Sequence, residues 1–181
     1  MDIAIAMTPA TTGSPARITR RISALDDLVF LENEELRLLY EGATAPKLLD
    51  LSGALRGRML AVPSLPDVVT ALPRAWARTK NFPWRGKTFS PRTESAGEGI
   101  NRVVSDRVSL FRFTTAITPS RHDGLPALEL DYDHPSNPGF IRMIEDEVRT
   151  IAPGLWLGQA WLRTSKTKHF VLWFALTNAK R

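Results

Sequence analysis

Acidic residues and a histidine gather in one stretch of the chain, LDYDHPSNPGFIRMIEDEVR, which runs from Leu130 to Arg149. Five of its side chains are carboxylates. By residue type alone, such a group could bind a metal ion or perform acid–base catalysis. The spacing of the residues decides between these chemistries and a structural role.

The spacing does not support a metal site. Asp131 and Asp133 resemble the start of a calcium-binding loop. However, Ser136 stands where the loop needs glycine for its sharp turn, and Arg142 stands where it needs a bidentate glutamate. His134 has no second ligand at the spacing that zinc sites use, and the chain contains no cysteine. The sequence therefore predicts no metal and no cofactor.

The second half of the stretch has the pattern of a helix. Asn137 is a favoured N-cap, Pro138 suits the first helical position, and the helix would continue to about Ala152. Its apolar stripe consists of Phe140, Ile141, Ile144, Val148 and Ile151. Glu147 lies at the edge of this stripe, so it is either a functional, partly buried carboxylate or a satisfied edge residue. We expect this helix to cover an opening or a side of the fold.

Most of the remaining chain consists of short strand patterns separated by turn residues. The predicted strands are ALRGRMLAV, RGKTFS, GINRVV, RVSLFRFTTAIT, PALELDY, GLWLGQAWLR and KHFVLWFALT. A helix precedes them, with Leu31, Glu35 and Leu38 at helical spacing and Gly42 as its stop. This order predicts a mainly β protein, an antiparallel barrel of about eight strands with an N-terminal helix and one helix inserted before the last two strands.

The two ends of the chain differ in character. Residues 1–25 are rich in Thr, Ser and Pro and are expected to form a flexible arm, whereas residues 26–181 are expected to form a single β-barrel domain. The chain has no apolar run long enough for a transmembrane segment and no typical secretory signal. Together with the absence of cysteine, these features favour a cytoplasmic location.

Basic residues are concentrated between Arg56 and Arg92, where eight of them accompany one acid, Asp67. Such a surface could serve as an interaction module for an acidic partner, or could simply be solvated. In a regular strand, Arg85 and Lys87 would share one solvated face. The chain contains no nucleic-acid-binding motif, which argues against nucleic acid as the partner.

Aromatic residues recur on the predicted strands at alternating positions. Alternation would direct several of them into a closed barrel. The candidates for lining the interior are Trp84, Phe113, Tyr132, Trp156 and Trp161. An interior of this kind is either a fully packed core or a cavity for a small molecule, and the sequence leaves both interpretations open.

Several segments, taken in order, resemble a family of uncharacterised bacterial proteins with a lipocalin-like (calycin-type) barrel. The matching pieces are ELRLLY, APKLLDLSGALRGRMLAVPSLP, PWRGKTF, GINRV, PSRHDGLPALELDY and IEDEVRTIAPGLWLG. The chain departs from the family pattern at Leu55 and Arg56, at Ile100, and at Trp156, which replaces the commoner tyrosine. The resemblance implies a barrel with a hydrophobic ligand and supplies no catalytic residues.

Two functions follow as hypotheses. In the first, the barrel binds a small, largely apolar molecule among the aromatic residues, and Arg112 or Lys87 contacts a carboxylate or phosphate head group. In the second, the protein is a cofactor-free enzyme, such as a cyclase or isomerase, that acts on a hydrophobic substrate. Tyr132 or Glu147 would then donate or accept a proton.

Overall fold

The computed structural model describes residues 22–60, 84–103 and 108–178. Eight antiparallel strands form a closed barrel in this part of the chain. They are β1 (Gly53–Met59), β2 (Trp84–Pro91), β3 (Gly97–Val103), β4 (Ser109–Pro119), β5 (Pro126–Asp131), β6 (Ile144–Ala152), β7 (Leu155–Arg163) and β8 (Lys168–Thr177). No helix of the described residues is long and apolar enough to cross a membrane.

Each strand pairs with the next one along the chain, and the last pairs with the first. The closing contact between β1 and β8 joins Arg56 to Thr177 and Met59 to Phe174. This is the up-and-down arrangement, which leaves no strand edge unpaired. The prediction of a mainly β, antiparallel barrel of about eight strands is therefore confirmed.

Two α-helices lie against the outside of the barrel. They are α1 (Leu25–Leu28) and α2 (Asn33–Glu41), and α2 matches the helix predicted from the leucine spacing, with Gly42 following its last residue. Leu28, Leu36 and Tyr40 of the helices are buried in one apolar cluster with Leu157 and Trp173 of β7 and β8. The helices and the outer faces of β7 and β8 thus form a second apolar core, the outer core, which is separate from the core inside the barrel.

The barrel interior has a separate core. Inward residues of the strands, among them Leu55, Phe89, Leu128 and Val148, form one buried cluster. A 3₁₀ turn, Leu48–Leu51, contributes Leu48 and Leu51 to the same cluster, and its Leu48 amide donates to the carbonyl of Glu94 in the β2–β3 turn. This turn therefore closes the end of the barrel at which β1 begins.

The helix expected from Pro138 to about Ala152 is the main error of the sequence analysis. Only Ile141–Met143 is helical, as a single 3₁₀ turn, and Ile144–Ala152 is strand β6. The apolar residues at helical spacing also fit a strand, because Ile144 and Val148 alternate with residues of the other face. Pairing of β6 with β5 and β7 on both sides outweighs the helical start signal at Asn137 and Pro138.

Some expectations concern residues outside the described part of the chain. These are residues 1–21 of the expected flexible arm and most of the basic segment, including Arg74, Arg78 and Lys80. Residues 22–25 of the same arm are described: Ile22 packs against the outer core, and Leu25 is the first residue of α1.

Candidate functional site

Four polar side chains meet inside the barrel, and we call them the polar cluster: Lys87, Asn101, Tyr132 and Asp146. They come from β2, from β3, from the residue after β5, and from β6, respectively. All four are buried. Nζ of Lys87 lies 2.8 Å from Oδ2 of Asp146, which makes this a buried ion pair. In the part of the chain that the structure describes, each other ion pair has at least one side chain that is clearly more exposed.

A β-bulge positions Lys87. Trp84 pairs with Val103 and Gly86 pairs with Arg102, so the register between β2 and β3 shifts by one residue at Arg85. As a result, Trp84 and Lys87 both contribute to the interior, although a regular strand would place them on opposite faces. Arg85 is exposed, whereas Lys87 is buried. The prediction that the two cations share one solvated face is therefore wrong, because of the bulge.

The hydrogen bonds of the cluster form a closed set. Lys87 Nζ donates to Oδ1 of Asn101 at 2.9 Å, to the hydroxyl oxygen of Tyr132 at 2.5 Å, and to Asp146. The Tyr132 hydroxyl donates to Oδ2 of Asp146 at 2.9 Å and accepts from Nδ2 of Asn101 at 2.9 Å. Every donor of the ammonium group has a partner, and the tyrosine hydroxyl uses both its donor and its acceptor capacity. The four groups therefore hold one another in a defined arrangement.

Aromatic rings surround the Lys87 ammonium group, and we call them the aromatic cage. Nζ lies 5.0 Å from the ring centroid of Phe174, 5.2 Å from that of Tyr132, and 5.4 Å from those of Trp84 and Phe113. Each distance is within the range of a cation–π interaction. The cage explains how a charge can be held inside an otherwise apolar core.

Glycines make room for the cage. Gly99 pairs with Phe113 across β3 and β4, and Gly158 pairs with Phe174 across β7 and β8. A Cβ atom at Gly99 would lie 2.4 Å from the Phe113 ring, and one at Gly158 would lie 2.3 Å from the Phe174 ring. The rings can lie over the barrel wall only because these positions have no side chain.

Burial changes the proton affinities of the cluster. The apolar surroundings lower the pKa of the Lys87 amine, although the Asp146 carboxylate opposes this effect. Burial and the negative charge of Asp146 raise the pKa of the Tyr132 hydroxyl well above its ordinary value. The cluster thus contains a cation that loses its proton more readily than usual and a phenol that keeps its proton.

Outside the polar cluster, two buried polar atoms on the inner side of the described barrel have no hydrogen-bond partner. They are Nε1 of Trp156 and Oγ1 of Thr115. Trp156 belongs to the interior core, and Thr115 pairs with Leu130 of the same core across β4 and β5. Buried donors without partners are costly, so an acceptor brought by a bound molecule would relieve this cost.

The structure brings some of the predicted site residues together. Trp84, Lys87, Phe113 and Tyr132 belong to the polar cluster or to its cage, and Trp156 lies in the same interior core. Three others lie elsewhere. The side chain of Arg112 is exposed, Trp161 stacks edge-on against Phe170 next to Trp173 of the outer core, and Glu147 faces α2. The expected contact of Arg112 with a ligand in the interior is therefore wrong, because it occupies an outward position of β4.

Glu147 forms the centre of a separate buried group between α2 and the barrel wall. Its carboxylate accepts hydrogen bonds from Oγ of Ser120 at 2.6 Å, from the amide of Arg121 at 2.7 Å, and from Nε2 of Gln159 at 2.8 Å. The Tyr40 hydroxyl of α2 lies 3.4 Å away. These contacts show a satisfied carboxylate that attaches a turn and a helix to the barrel, and it does not reach Tyr132.

Sequence reasoning missed Asn101 and Asp146. Asp146 was hidden by the helical interpretation of Ile144–Ala152, although the alternation of Ile144, Asp146 and Val148 is the pattern of an inward strand face. Asn101 carried no signal, because only its pairing with Lys87 shows that it points inward.

The basic segment and a metal site were the other two possibilities that the sequence raised. In the basic segment, Arg58 pairs with Asp26 and Arg92 pairs with Glu98, so part of its charge is neutralised. Within the described ranges, no group of three or more histidine, aspartate or glutamate side chains is placed to hold a metal ion.

Comparison with known proteins does not assign a family. No protein-family model matches the chain, and no curated protein does either. The chain is similar to a solved structure described as the crystal structure of a protein from Thermomonospora curvata, with a TM-score of 0.47 and 15% sequence identity over 83% of this chain and 89% of that chain. The lipocalin-like assignment therefore stays a prediction.

Proposed function

We propose that the barrel interior binds a small, largely apolar molecule whose single polar group contacts the polar cluster. The observation that carries this proposal is the Lys87–Asp146 ion pair, buried together with Tyr132 and Asn101 inside an aromatic cage. A buried ion pair contributes little to stability compared with apolar residues of the same volume. A function in binding explains why the interior holds four polar groups where a packed core would need none.

The charge of the cluster indicates the kind of polar group that would fit. The positive charge of Lys87 is already balanced by the carboxylate of Asp146. A carboxylate or phosphate head group would therefore bring a second negative charge close to Asp146, with no further cation of the cluster to balance it. A neutral acceptor, such as a carbonyl or hydroxyl oxygen, could replace one of the present acceptors of Lys87 or Tyr132 without this repulsion. The unpartnered Nε1 of Trp156 is a further donor for such a molecule.

Calorimetric titration with three matched naphthalene compounds tests this proposal. We expect 2-naphthalenemethanol, which is neutral, to bind at least tenfold more tightly than 2-naphthoate, which is anionic, and than 2-naphthylmethylammonium, which is cationic. The absence of measurable binding by all three would contradict the proposal. Preferred binding of 2-naphthoate would contradict the assignment of a neutral polar group.

A matched pair of variants locates the contact. In the double variant Lys87→Met with Asp146→Leu, both charges are removed together, so no uncompensated charge remains in the interior. We expect the affinity for 2-naphthalenemethanol to fall by about tenfold, the equivalent of one hydrogen bond to a charged group. Lys168→Met is the control, because Lys168 pairs with Glu145 on the outer wall. Equal losses in both variants would argue against binding at the polar cluster.

A cofactor-free enzyme acting on the same molecule is the second candidate function. It is supported by the contact between the Tyr132 hydroxyl and the Asp146 carboxylate, which places a proton donor beside a proton acceptor in an apolar interior. For an isomerase acting next to a carbonyl group, the protein should accelerate deuterium exchange at the methyl group of 2-acetonaphthone in heavy water. Tyr132→Phe should then slow this exchange by at least tenfold. An unchanged exchange rate in the presence of the wild-type protein would rule against this candidate.

A further inference from the structure

Lys87 differs from the other lysines of the described residues in its surroundings. Its side chain is 3% exposed, whereas Lys47 is largely exposed, Lys166 is exposed, and Lys168 is partly exposed on the outer wall. Its Nζ atom lies within hydrogen-bond distance of a hydroxyl group and a carboxylate, Tyr132 and Asp146. An amine with an adjacent acid and an adjacent base, inside an apolar enclosure, has the groups required for covalent chemistry with a carbonyl compound.

We propose that Nζ of Lys87 forms a reversible imine with the aldehyde or ketone group of an apolar molecule held in the barrel. This inference rests on the proposed binding function and adds the class of ligand and the type of bond. The neutral acceptor that the charge balance favours is then the carbonyl oxygen, and the carbonyl carbon is the atom that Lys87 attacks.

The first half of the reaction forms the bond between nitrogen and carbon. The Lys87 ammonium group gives one proton to Oδ2 of Asp146, 2.8 Å away, and becomes a neutral amine. The nitrogen lone pair then attacks the carbonyl carbon, and the carbonyl oxygen takes the proton of the Tyr132 hydroxyl. Tyr132 regains a proton from Asp146, to which it is hydrogen bonded at 2.9 Å. The product is a protonated carbinolamine beside an ionised Asp146.

The second half removes water. The nitrogen gives a second proton to Asp146, and this proton passes through Tyr132 to the hydroxyl group of the carbinolamine. The carbon–oxygen bond breaks, the oxygen leaves as water, and the nitrogen lone pair forms the double bond to carbon. The balance is one ammonium group and one carbonyl compound giving one protonated imine and one water molecule. No oxidant or reductant is needed, and the positive imine keeps its ion pair with Asp146.

Other features of the site fit this chemistry. The lowered pKa of Lys87 increases the fraction of neutral amine at a given pH. The raised pKa of Tyr132 keeps its hydroxyl protonated and able to donate. Asn101 donates to the Tyr132 oxygen through Nδ2 and accepts from Lys87 through Oδ1, so it is a positioning residue that holds the acid next to the amine.

Reductive trapping tests the inference. The full-length protein is incubated with 2-naphthaldehyde and sodium cyanoborohydride, and the adducts are located by intact mass and peptide mapping. We expect one adduct, on Lys87, at an aldehyde concentration at least tenfold below that needed to label Lys47, Lys166 or Lys168. Tyr132→Phe should slow labelling of Lys87 by at least tenfold without changing the labelling of the exposed lysines. A merely structural role of Tyr132 would not separate the two classes of lysine.

The controls separate the failure of this inference from the failure of the proposed function. The double variant Lys87→Met with Asp146→Leu should lose the low-concentration adduct, whereas Lys168→Met should keep it. Binding of 2-naphthalenemethanol without preferential labelling of Lys87 by the aldehyde would overturn the imine and leave the binding function standing. The absence of both alcohol binding and Lys87 labelling would overturn both. Labelling spread evenly over the lysines would also overturn the imine.

Discussion

Lys87 carries its positive charge at a place where a charge is costly to hold. Its three donors are satisfied by Asn101, Tyr132 and Asp146, and aromatic rings lie above the ammonium group. Satisfied hydrogen bonds and cation–π contacts offset part of the desolvation cost. The two charges are therefore acceptable only as a pair, which makes the effect of removing one very different from the effect of removing both.

Stability measurements on single and double variants should show this difference. We expect Lys87→Met to lower the free energy of unfolding by about 3–5 kcal/mol, because Asp146 is left buried without its cation. The double variant with Asp146→Leu should be at least as stable as the wild type, because apolar residues replace the whole pair. Urea denaturation followed by far-ultraviolet circular dichroism gives both values. A double variant as unstable as the single one would show that the pair itself stabilises the fold.

The pH dependence of stability should also carry a signature of Lys87. Burial makes the pKa of Lys87 lower in the folded protein than its value of 10.5 in the unfolded chain. Between these two values the unfolded chain binds more protons, so the free energy of unfolding rises with pH. We expect the wild type to gain stability relative to the double variant as the pH rises toward 10, the ordinary pKa of a tyrosine. Above that pH the raised pKa of Tyr132 acts with the opposite sign. Denaturation curves at several pH values check the slope, and a falling difference would contradict it.

At the scale of secondary-structure elements, the pairs of glycine and phenylalanine across neighbouring strands determine the shape of the interior. The Phe174 ring lies over Gly158, and its neighbour Trp84 meets it edge-on at 5.7 Å between ring centroids. A side chain at Gly158 would push the Phe174 ring toward Lys87. The space around the polar cluster is therefore set by residues that make no polar contact with it.

Gly158→Ala tests this arrangement. The new Cβ atom would lie 2.3 Å from the Phe174 ring, so either the ring or the strand must move. We expect a loss of about 1–3 kcal/mol in the free energy of unfolding, typical of overpacking in a core. Adding Phe174→Leu should restore part of the loss. Gly139→Ala is the control, because a Cβ there would meet nothing within 4 Å. Thermal unfolding measures all three, and an equal effect of the two glycine substitutions would argue against a role of the ring.

Sequence patterns predicted most strands because short runs with alternating apolar and polar residues are separated by turn residues. β6 was not recognised, since both of its faces are buried and both carry charged residues, Asp146 inside and Glu145, Glu147 and Arg149 outside. Such a strand lacks the alternation of apolar and polar residues that identifies a half-exposed strand. Its acids and its arginine resemble the exposed side of a helix instead.

The candidate site was predictable only in part, because residue types can be read from the sequence but the direction of each side chain depends on strand geometry. Residue type pointed to Lys87, Tyr132 and the aromatic residues. The inward direction of Lys87 depends on the bulge at Arg85, for which Gly86 with φ 130° is the one local signal. The inward direction of Asn101 depends on strand register, which leaves no mark in the local sequence. Arg112 and Trp161 were placed inside by residue type, whereas their positions in the strands direct them outward.

For the molecule as a whole, Arg149 connects parts of the chain that are otherwise separate. Its buried guanidinium donates to the carbonyl of Tyr40 in α2, to the carboxylate of Asp123, and to the carbonyls of Leu125 and Pro126 in the β4–β5 hairpin. It also lies over the Tyr40 ring, with Cζ 4.5 Å from the ring centroid. One side chain of β6 thus joins the outer helix and a turn to the barrel.

Arg149→Lys should therefore weaken the whole molecule although it keeps the charge. A lysine has three donors on a single atom and cannot reproduce the divergent contacts of the guanidinium. We expect a loss of about 2 kcal/mol or more in the free energy of unfolding. Hydrogen exchange should show that amides of α2 and of β6 lose protection together. Loss of protection confined to α2 would mean that the helix is attached independently of Arg149. Arg163→Lys is a comparison at a half-exposed arginine of the same wall, where a smaller loss is expected.

Asp146 and Glu147 are neighbours in β6, yet their carboxylates lie on opposite sides of the barrel wall. Asp146 accepts from Lys87 inside the barrel, and Glu147 accepts from Ser120 on the outer side. A slip of β6 by one residue would exchange their sides. If Glu147 then entered the barrel in place of the shorter aspartate, Asp146 would take the outward place of Glu145, and Arg149 would enter the apolar interior in place of Val148. The Arg149 guanidinium would lose Asp123, and the Glu147 carboxylate would lose Ser120, the Arg121 amide and Gln159. Misfolded barrels with shifted registers are therefore penalised at several residues at once. The charged residues of β6, which make this strand hard to recognise in the sequence, thus help to fix its register in the barrel.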